Sequence, residues 1–157
     1  MGDSVFLKVA DEAGMMQLGA ELARSMGSIH RGVIYLRGDL GAGKTTLVRG
    51  LLRSLGVQTA VKSPTYTIVE PYELPDWNIY HFDLYRLSDP EELEYIGIRE
   101  YFAGESFCLI EWPDQGAGVI PEADIELNIS HQNEGREVQI TAHSAWGEQM
   151  VEAINLK

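Results

Sequence analysis

The segment Gly38-Asp39-Leu40-Gly41-Ala42-Gly43-Lys44-Thr45 has the residue types and spacing of a phosphate-binding loop, G-x-x-x-x-G-K-[ST]. Each type has a physical task. Glycines let the backbone pass close to an anion and turn its N–H groups inward. Lys44 supplies a mobile positive charge for terminal phosphates, and the Thr45 hydroxyl is suited to Mg²⁺. An apolar run, Val33 to Leu36, precedes the loop, and a helical pattern follows it, so the helix dipole would face the same anion. The expected ligand is a nucleoside di- or triphosphate.

Phosphate chemistry at such a loop needs an acid at a strand end, to hold the metal or orient the attacking group. Two positions qualify: Asp83, after Ile79-Tyr80-His81-Phe82, and Glu111, after Phe107-Cys108-Leu109-Ile110. Spacing does not divide the two roles between them. Ser63-Pro64-Thr65-Tyr66-Thr67 falls where a loop sensing the last phosphate is often found. Trp112 follows Glu111 and could lie beside the nucleotide. Arg86 and Arg136 are the cationic candidates away from the loop. The histidines at 30, 81, 131 and 143 lack metal-ligand spacing, so structural zinc is not expected. Cys108 reads as a small apolar filler in a buried strand.

Stepping along the chain, Val5 to Val9 suggests a short strand, and Asp11 an N-cap for a helix carrying Met15, Leu18, Leu22 and Met26, ended by Gly27. A second helix carries Leu47, Val48, Leu51, Leu52 and Leu55 and ends at Gly56. Strands are expected at Tyr66 to Val69, Ile79 to Leu84 and Phe107 to Ile110, with a turn-rich piece from Pro71 to Asp76. Asp89-Pro90-Glu91-Glu92 reads as a helix start. Ile125 to Ile129 and Val138 to Thr141 alternate around Asn133-Glu134-Gly135, which predicts a terminal antiparallel hairpin, and a last helix is expected from Ala145 to Ile154. The fold class is therefore α/β: a three-layer sandwich of the P-loop type over residues 1–157, one domain, with a mainly parallel sheet and an antiparallel C-terminal hairpin.

Composition narrows the function further. Hydrophobic residues make up 45% and charged residues 23%, which matches a folded globular chain rather than a disordered one. Residues 1–66 carry eight Lys/Arg and five Asp/Glu, whereas residues 67–157 carry four and nineteen. The acidic part repels polyanions, so unaided nucleic-acid binding is disfavoured. It also argues against a small-molecule kinase, which usually needs a basic lid. No Asn-Lys-x-Asp segment is present to read guanine, so a GTPase is not expected. A single cysteine, an N-terminus without a secretory pattern and no membrane-length apolar run point to the cytoplasm.

Four segments together resemble the TsaE family: Gly38 to Thr46, Lys62 to Thr67, His81-Phe82-Asp83-Leu84-Tyr85-Arg86-Leu87, and Ile110-Glu111-Trp112-Pro113. The resemblance extends to Asp89-Pro90-Glu91-Glu92-Leu93 and Gly135-Arg136-Glu137, nearly the whole chain. It implies a cytoplasmic ATPase that binds ATP or ADP and Mg²⁺ and acts with the TsaB–TsaD pair in making threonylcarbamoyladenosine on tRNA. Its expected part is to reset that complex rather than transfer the group, meeting tRNA only indirectly. By motif, Asp39, Gly41, Ala42, Gly43, Lys44, Thr45 and Thr46 would surround the nucleotide with Trp112. Thr45 and Glu111 would hold Mg²⁺, Lys44 and Asp83 would assist hydrolysis, and Thr65 would belong to a switch-like loop. No arginine finger is evident in the chain, so by analogy with other P-loop switches a slow ATPase completed by a partner surface is expected.

Overall fold

The computed structural model describes residues 4–27, 31–64 and 66–155. In chain order its elements are β1 (Ser4–Val9), α1 (Glu12–Ser25), β2 (Gly32–Arg37), α2 (Lys44–Leu55), β3 (Val69–Glu73), β4 (Asn78–Asp83), α3 (Glu92–Tyr95), α4 (Ile98–Ala103), β5 (Phe107–Glu111), β6 (Ile125–Gln132), β7 (Gly135–Ala142) and α5 (Ala145–Asn155). A 3₁₀ turn, Pro113–Gly116, follows β5.

One sheet runs in the order β1-β7-β6-β2-β5-β4-β3. Its four central strands, β6, β2, β5 and β4, are mutually parallel, and both edges add antiparallel strands. β5 is buried at all five positions, which is why Phe-Cys-Leu-Ile reads as an unbroken apolar run. β6 alternates instead, burying Ile125, Leu127 and Ile129 on one face. α1, α2 and α5 cover that face through Leu22, Leu51 and Ile154, while α3 and α4 cover Phe82, Cys108 and Ile110 on the other. The α/β sandwich expected from the pattern is what forms.

Asp11 caps α1 by accepting from the Gly14 N–H at 2.9 Å. α1 and α2 then meet backbone to backbone. A Cβ on Gly19 would lie 2.1 Å from the Leu47 carbonyl oxygen, and one on Gly50 would lie 2.2 Å from that of Met16. This close approach fixes the helix that opens at the phosphate loop. The β6–β7 hairpin closes through Asn133, whose φ of 53° is the left-handed geometry such turns need.

Two expectations are corrected. Residues 66 and 67 form a turn, and the strand expected from Tyr66 to Val69 instead begins at Val69 and runs through Glu73. The supposed turn-rich stretch thus holds most of β3. Pro71 is tolerated because β3 is an edge strand, where an N–H can be spared; the hairpin turn itself is confined to Leu74–Trp77, whose backbones bond to each other at 2.8 and 3.2 Å. The helix expected after Asp89-Pro90 is only one turn, because Gly97 enters the left-handed region (φ 72°) and the chain restarts as α4.

Candidate functional site

The parallel core puts the C-terminal ends of β2, β4 and β5 on one edge of the sheet. β5 separates β2 from β4, so the connections after β2 leave a crevice there, the usual ligand position in an open α/β sheet. The loop after β2 enters α2 through Gly43, at φ 115°, where a residue with a side chain would be strained. No side chain caps this helix. Its first-turn N–H groups therefore have no intrahelical acceptor and are available to an anion. Within the loop the Ala42 N–H donates to the Asp39 carbonyl at 3.0 Å.

Lys44 is only 5% exposed. Its Nζ donates to the Gly38 carbonyl and stands 3.9 Å above the Trp112 ring. Burial lowers the Lys44 pKa, and the charges of Glu111, Asp83 and Asp39 oppose that shift. Trp112 reaches this position from a left-handed backbone (φ 57°), and its ring leans on Tyr85 at 5.0 Å.

Asp83 and Glu111 are register partners on β4 and β5, and both are buried. Asp83 Oδ1 accepts from the Tyr85 N–H at 3.0 Å, and its Oδ2 accepts from the Ser63 hydroxyl. Glu111 Oε2 is bonded to His81 Nε2 at 2.6 Å. The segment leading from Ser63 is tied to the same acid. Ile68 donates to Pro64 at 2.8 Å and accepts from the Asp83 N–H at 2.9 Å. Ile68 does so with φ at 72°, an uncommon state for a β-branched residue. Thr65 lies outside the described residues.

A cleft of about 430 Å³ joins these groups: Gly41, Gly43, Lys44, Thr45 and Thr46 on one side, Asp83, Glu111 and Trp112 on the other. Two of the residues named from the sequence fall elsewhere. Ala42 is buried and lines a second hollow of about 300 Å³, whereas Asp39 borders a third, which shares Trp112 with the cleft. The second hollow also holds Asp11, Glu134 and Arg136. Arg136 is thus not remote from the loop: its Nε donates to the Ala42 carbonyl at 3.0 Å and its Nη2 to the Gly41 carbonyl at 3.3 Å. Sequence reasoning gave Asp11 only a capping role and Glu134 only a turn. Their convergence on the loop depends on β1 pairing with β7, which no local signal reveals.

The model of the family described as threonylcarbamoyl adenosine biosynthesis protein TsaE matches residues 9–138. The chain belongs to the TsaE family. It is 47% identical over 156 residues to the Haemophilus influenzae tRNA threonylcarbamoyladenosine biosynthesis protein TsaE, covering 98% of this chain and 99% of that one. The TsaE protein of Bacillus subtilis is 40% identical over 111 residues, covering 70% and 69% of the two chains. A crystal structure of Bacillus subtilis YdiB superimposes with a TM-score of 0.81 at 26% identity, over 99% of this chain and 97% of that one. TsaE membership places the protein in tRNA threonylcarbamoyladenosine biosynthesis. Among the described residues no helix is long and apolar enough to cross a membrane.

Proposed function

We propose that this TsaE protein is a slow, Mg²⁺-dependent ATPase that acts with TsaB–TsaD in forming the threonylcarbamoyl group on tRNA adenosine. The observation that carries the reading is the convergence of Lys44, Thr45, Asp83 and Glu111 in one cleft at an uncapped helix N-terminus. Phosphates there meet the first-turn N–H groups of α2 and the Lys44 ammonium. Gly41, Gly43 and Thr46 border both the cleft and the second hollow, so a nucleotide spanning the two would pass beside them. The hollow offers the carboxylates of Asp11 and Glu134, acceptors suited to the amino group of adenine.

The donor set also fits Mg²⁺. A threonine hydroxyl and carboxylates are hard oxygen ligands, and Mg²⁺ typically takes one or two carboxylates with phosphate oxygens making up the rest. Among the described residues no three His, Cys, Asp or Glu side chains gather as a complete protein-made ion site, so phosphate oxygens would be needed. Bound Mg²⁺ supplies positive charge that offsets the charge building on the phosphate oxygens. Thr45 and Glu111 would hold it. Asp83, fixed at both oxygens, would orient the attacking water and accept its proton.

The formal charge of −12 disfavours direct capture of tRNA and suits docking on proteins that hold it. Turnover would then reset the partner complex in the cytoplasm. The test is ATP hydrolysis with Mg²⁺, alone and with TsaB–TsaD, beside Lys44→Ala. Low basal turnover that partners stimulate and the variant abolishes supports the reading. Full speed in isolation with no response to TsaB–TsaD overturns partner activation.

A further inference from the structure

Within the His-Phe-Asp segment Phe82 belongs to the core and Asp83 to the cleft, whereas His81 is a polar residue to which nucleotide chemistry gives no task. It is fully buried, at 0% exposure, on the same face of β4 as Ile79 and Asp83. Its Nε2 lies 2.6 Å from Glu111 Oε2, while Nδ1 has no hydrogen-bond partner among the described residues. As the ionised carboxylate that a metal-holding acid must be, Glu111 can only accept, so Nε2 would donate. The orphaned Nδ1 is informative. A leucine or phenylalanine would fill the same space without burying an unpaired nitrogen, so packing alone does not account for a histidine there. What the ring does supply is one short bond to an acid that lines the cleft.

Glu111 needs such a bond. Its neighbour across the sheet is Asp83, a second buried carboxylate, and like charges in register push each other's side chains apart. Asp83 is held by the Tyr85 N–H and the Ser63 hydroxyl. The Glu111 side chain, with three rotatable bonds, has only the His81 contact among its described hydrogen bonds. With Oε2 engaged by His81, Oε1 is the oxygen left for an ion. We propose that His81 is a positioning residue that locks the Glu111 carboxylate for Mg²⁺, an inference that rests on Glu111 being the metal-holding acid. A histidine donating to a ligating carboxylate is the arrangement by which outer residues orient metal ligands and raise affinity.

The full-length protein with ADP, and Mn²⁺ as a spin probe for the Mg²⁺ position, tests this. Mn²⁺ affinity is read by electron paramagnetic resonance, and ADP affinity in EDTA by calorimetry. His81→Leu should weaken Mn²⁺ binding roughly 10–100-fold while metal-free ADP affinity stays within about twofold. His81→Gln, whose amide N–H can reach the place of Nε2, should recover most of the loss. His81→Asn, whose shorter amide reaches only the place of Nδ1, should not. If His81→Leu does not fold, the Gln and Asn variants carry the comparison by themselves. Equal Mn²⁺ affinity in the two amide variants, or an equal fall in metal-free ADP binding, overturns the positioning role. Glu111→Gln separates this from the underlying assignment. Loss of Mn²⁺ binding there with none in His81→Leu rejects only the role of His81, whereas no loss in Glu111→Gln rejects Glu111 as the metal-holding acid.

Discussion

Arg136, on β7, grips the carbonyl of Ala42 at 3.0 Å across 94 residues of chain. The same guanidinium reaches the Gly41 carbonyl, so the C-terminal hairpin braces the phosphate loop from behind. Removing the fork leaves two carbonyls short of donors and lets the loop relax. Arg136→Ala is expected to lower stability by about 1–3 kcal/mol and weaken ADP binding roughly 10-fold, measured by denaturant melts and calorimetry. Arg136→Lys should rescue little, since an ammonium lacks the two-pronged geometry.

Lys44 Nζ is held inside the cleft by the Gly38 carbonyl and the Trp112 ring. Lys44→Ala should cost about 2–3 kcal/mol of nucleotide binding, roughly 30–150-fold in Kd. A protein that binds ADP as tightly without this ammonium would remove Lys44 from the site.

Asp83 and Glu111 should separate cleanly by readout. Asp83→Asn keeps an acceptor for the Tyr85 N–H but loses the base, so hydrolysis should fall about 10²–10⁴-fold with ADP affinity little changed. Single-turnover hydrolysis beside equilibrium ADP titration measures both. Unchanged turnover would show that proton acceptance lies elsewhere.

The contact between α1 and α2 admits no added atom. Gly19→Ala places a Cβ 2.1 Å from the Leu47 carbonyl oxygen. The helices must part, at a cost of about 2–3 kcal/mol, or roughly 4–12 °C in Tm. Gly104→Ala, where a Cβ meets nothing within 4 Å and φ is −104°, is the control and should move Tm by no more than about 2 °C.

Glu126 gives the sheet a pH dependence. Burial pushes its carboxyl up, but hydrogen bonds from His143 at 2.7 Å and from Arg37 at 2.9 Å prevail and hold its pKa below the ordinary 4.5. A carboxylate depressed in the folded state stabilises above its unfolded pKa, and that contribution is lost as pH falls through the folded one. Glu126→Gln should therefore destabilise by about 1–2 kcal/mol at pH 7, with the gap to wild type closing below pH 4.5. Urea melts at pH 7 and pH 3.5 compare the two; a constant gap would mean that Glu126 acts by packing.

The loop between β2 and α2, the strand-end placement of Asp83 and Glu111 and the parallel core were legible because each has a local signature: glycine spacing, an acid closing an apolar run, and unbroken apolar strands. β3 was misplaced because Pro71, Pro75 and Asp76 make residues 71–76 look like a turn, and only the position of β3 at the sheet edge makes Pro71 acceptable. Arg136 was visible as a charge but not as a brace, and Asp11 was visible as a cap but not as the wall of a hollow. Both depend on the chain ends meeting through β1 and β7, a pairing fixed by the whole fold. The Gly19–Gly50 contact was equally hidden, since a glycine within a helical pattern looks only like a weak helix former.

Tryptophans stand at both ends of β5. Trp77 and Trp146 lie against Phe107 at 5.3 and 5.4 Å, at the start of the strand. Trp112 follows its last residue and sits beneath the Lys44 ammonium. Under the proposed function, a phosphate drawing Lys44 Nζ away from that ring would change the electric field on Trp112, while Trp77 and Trp146 stand at the other end of the strand. The molecule thus carries its own optical probe. Its emission should change when Lys44 is engaged, on the timescale of ligand arrival, with no dye attached, and Trp77 and Trp146 provide a constant reference within the same spectrum.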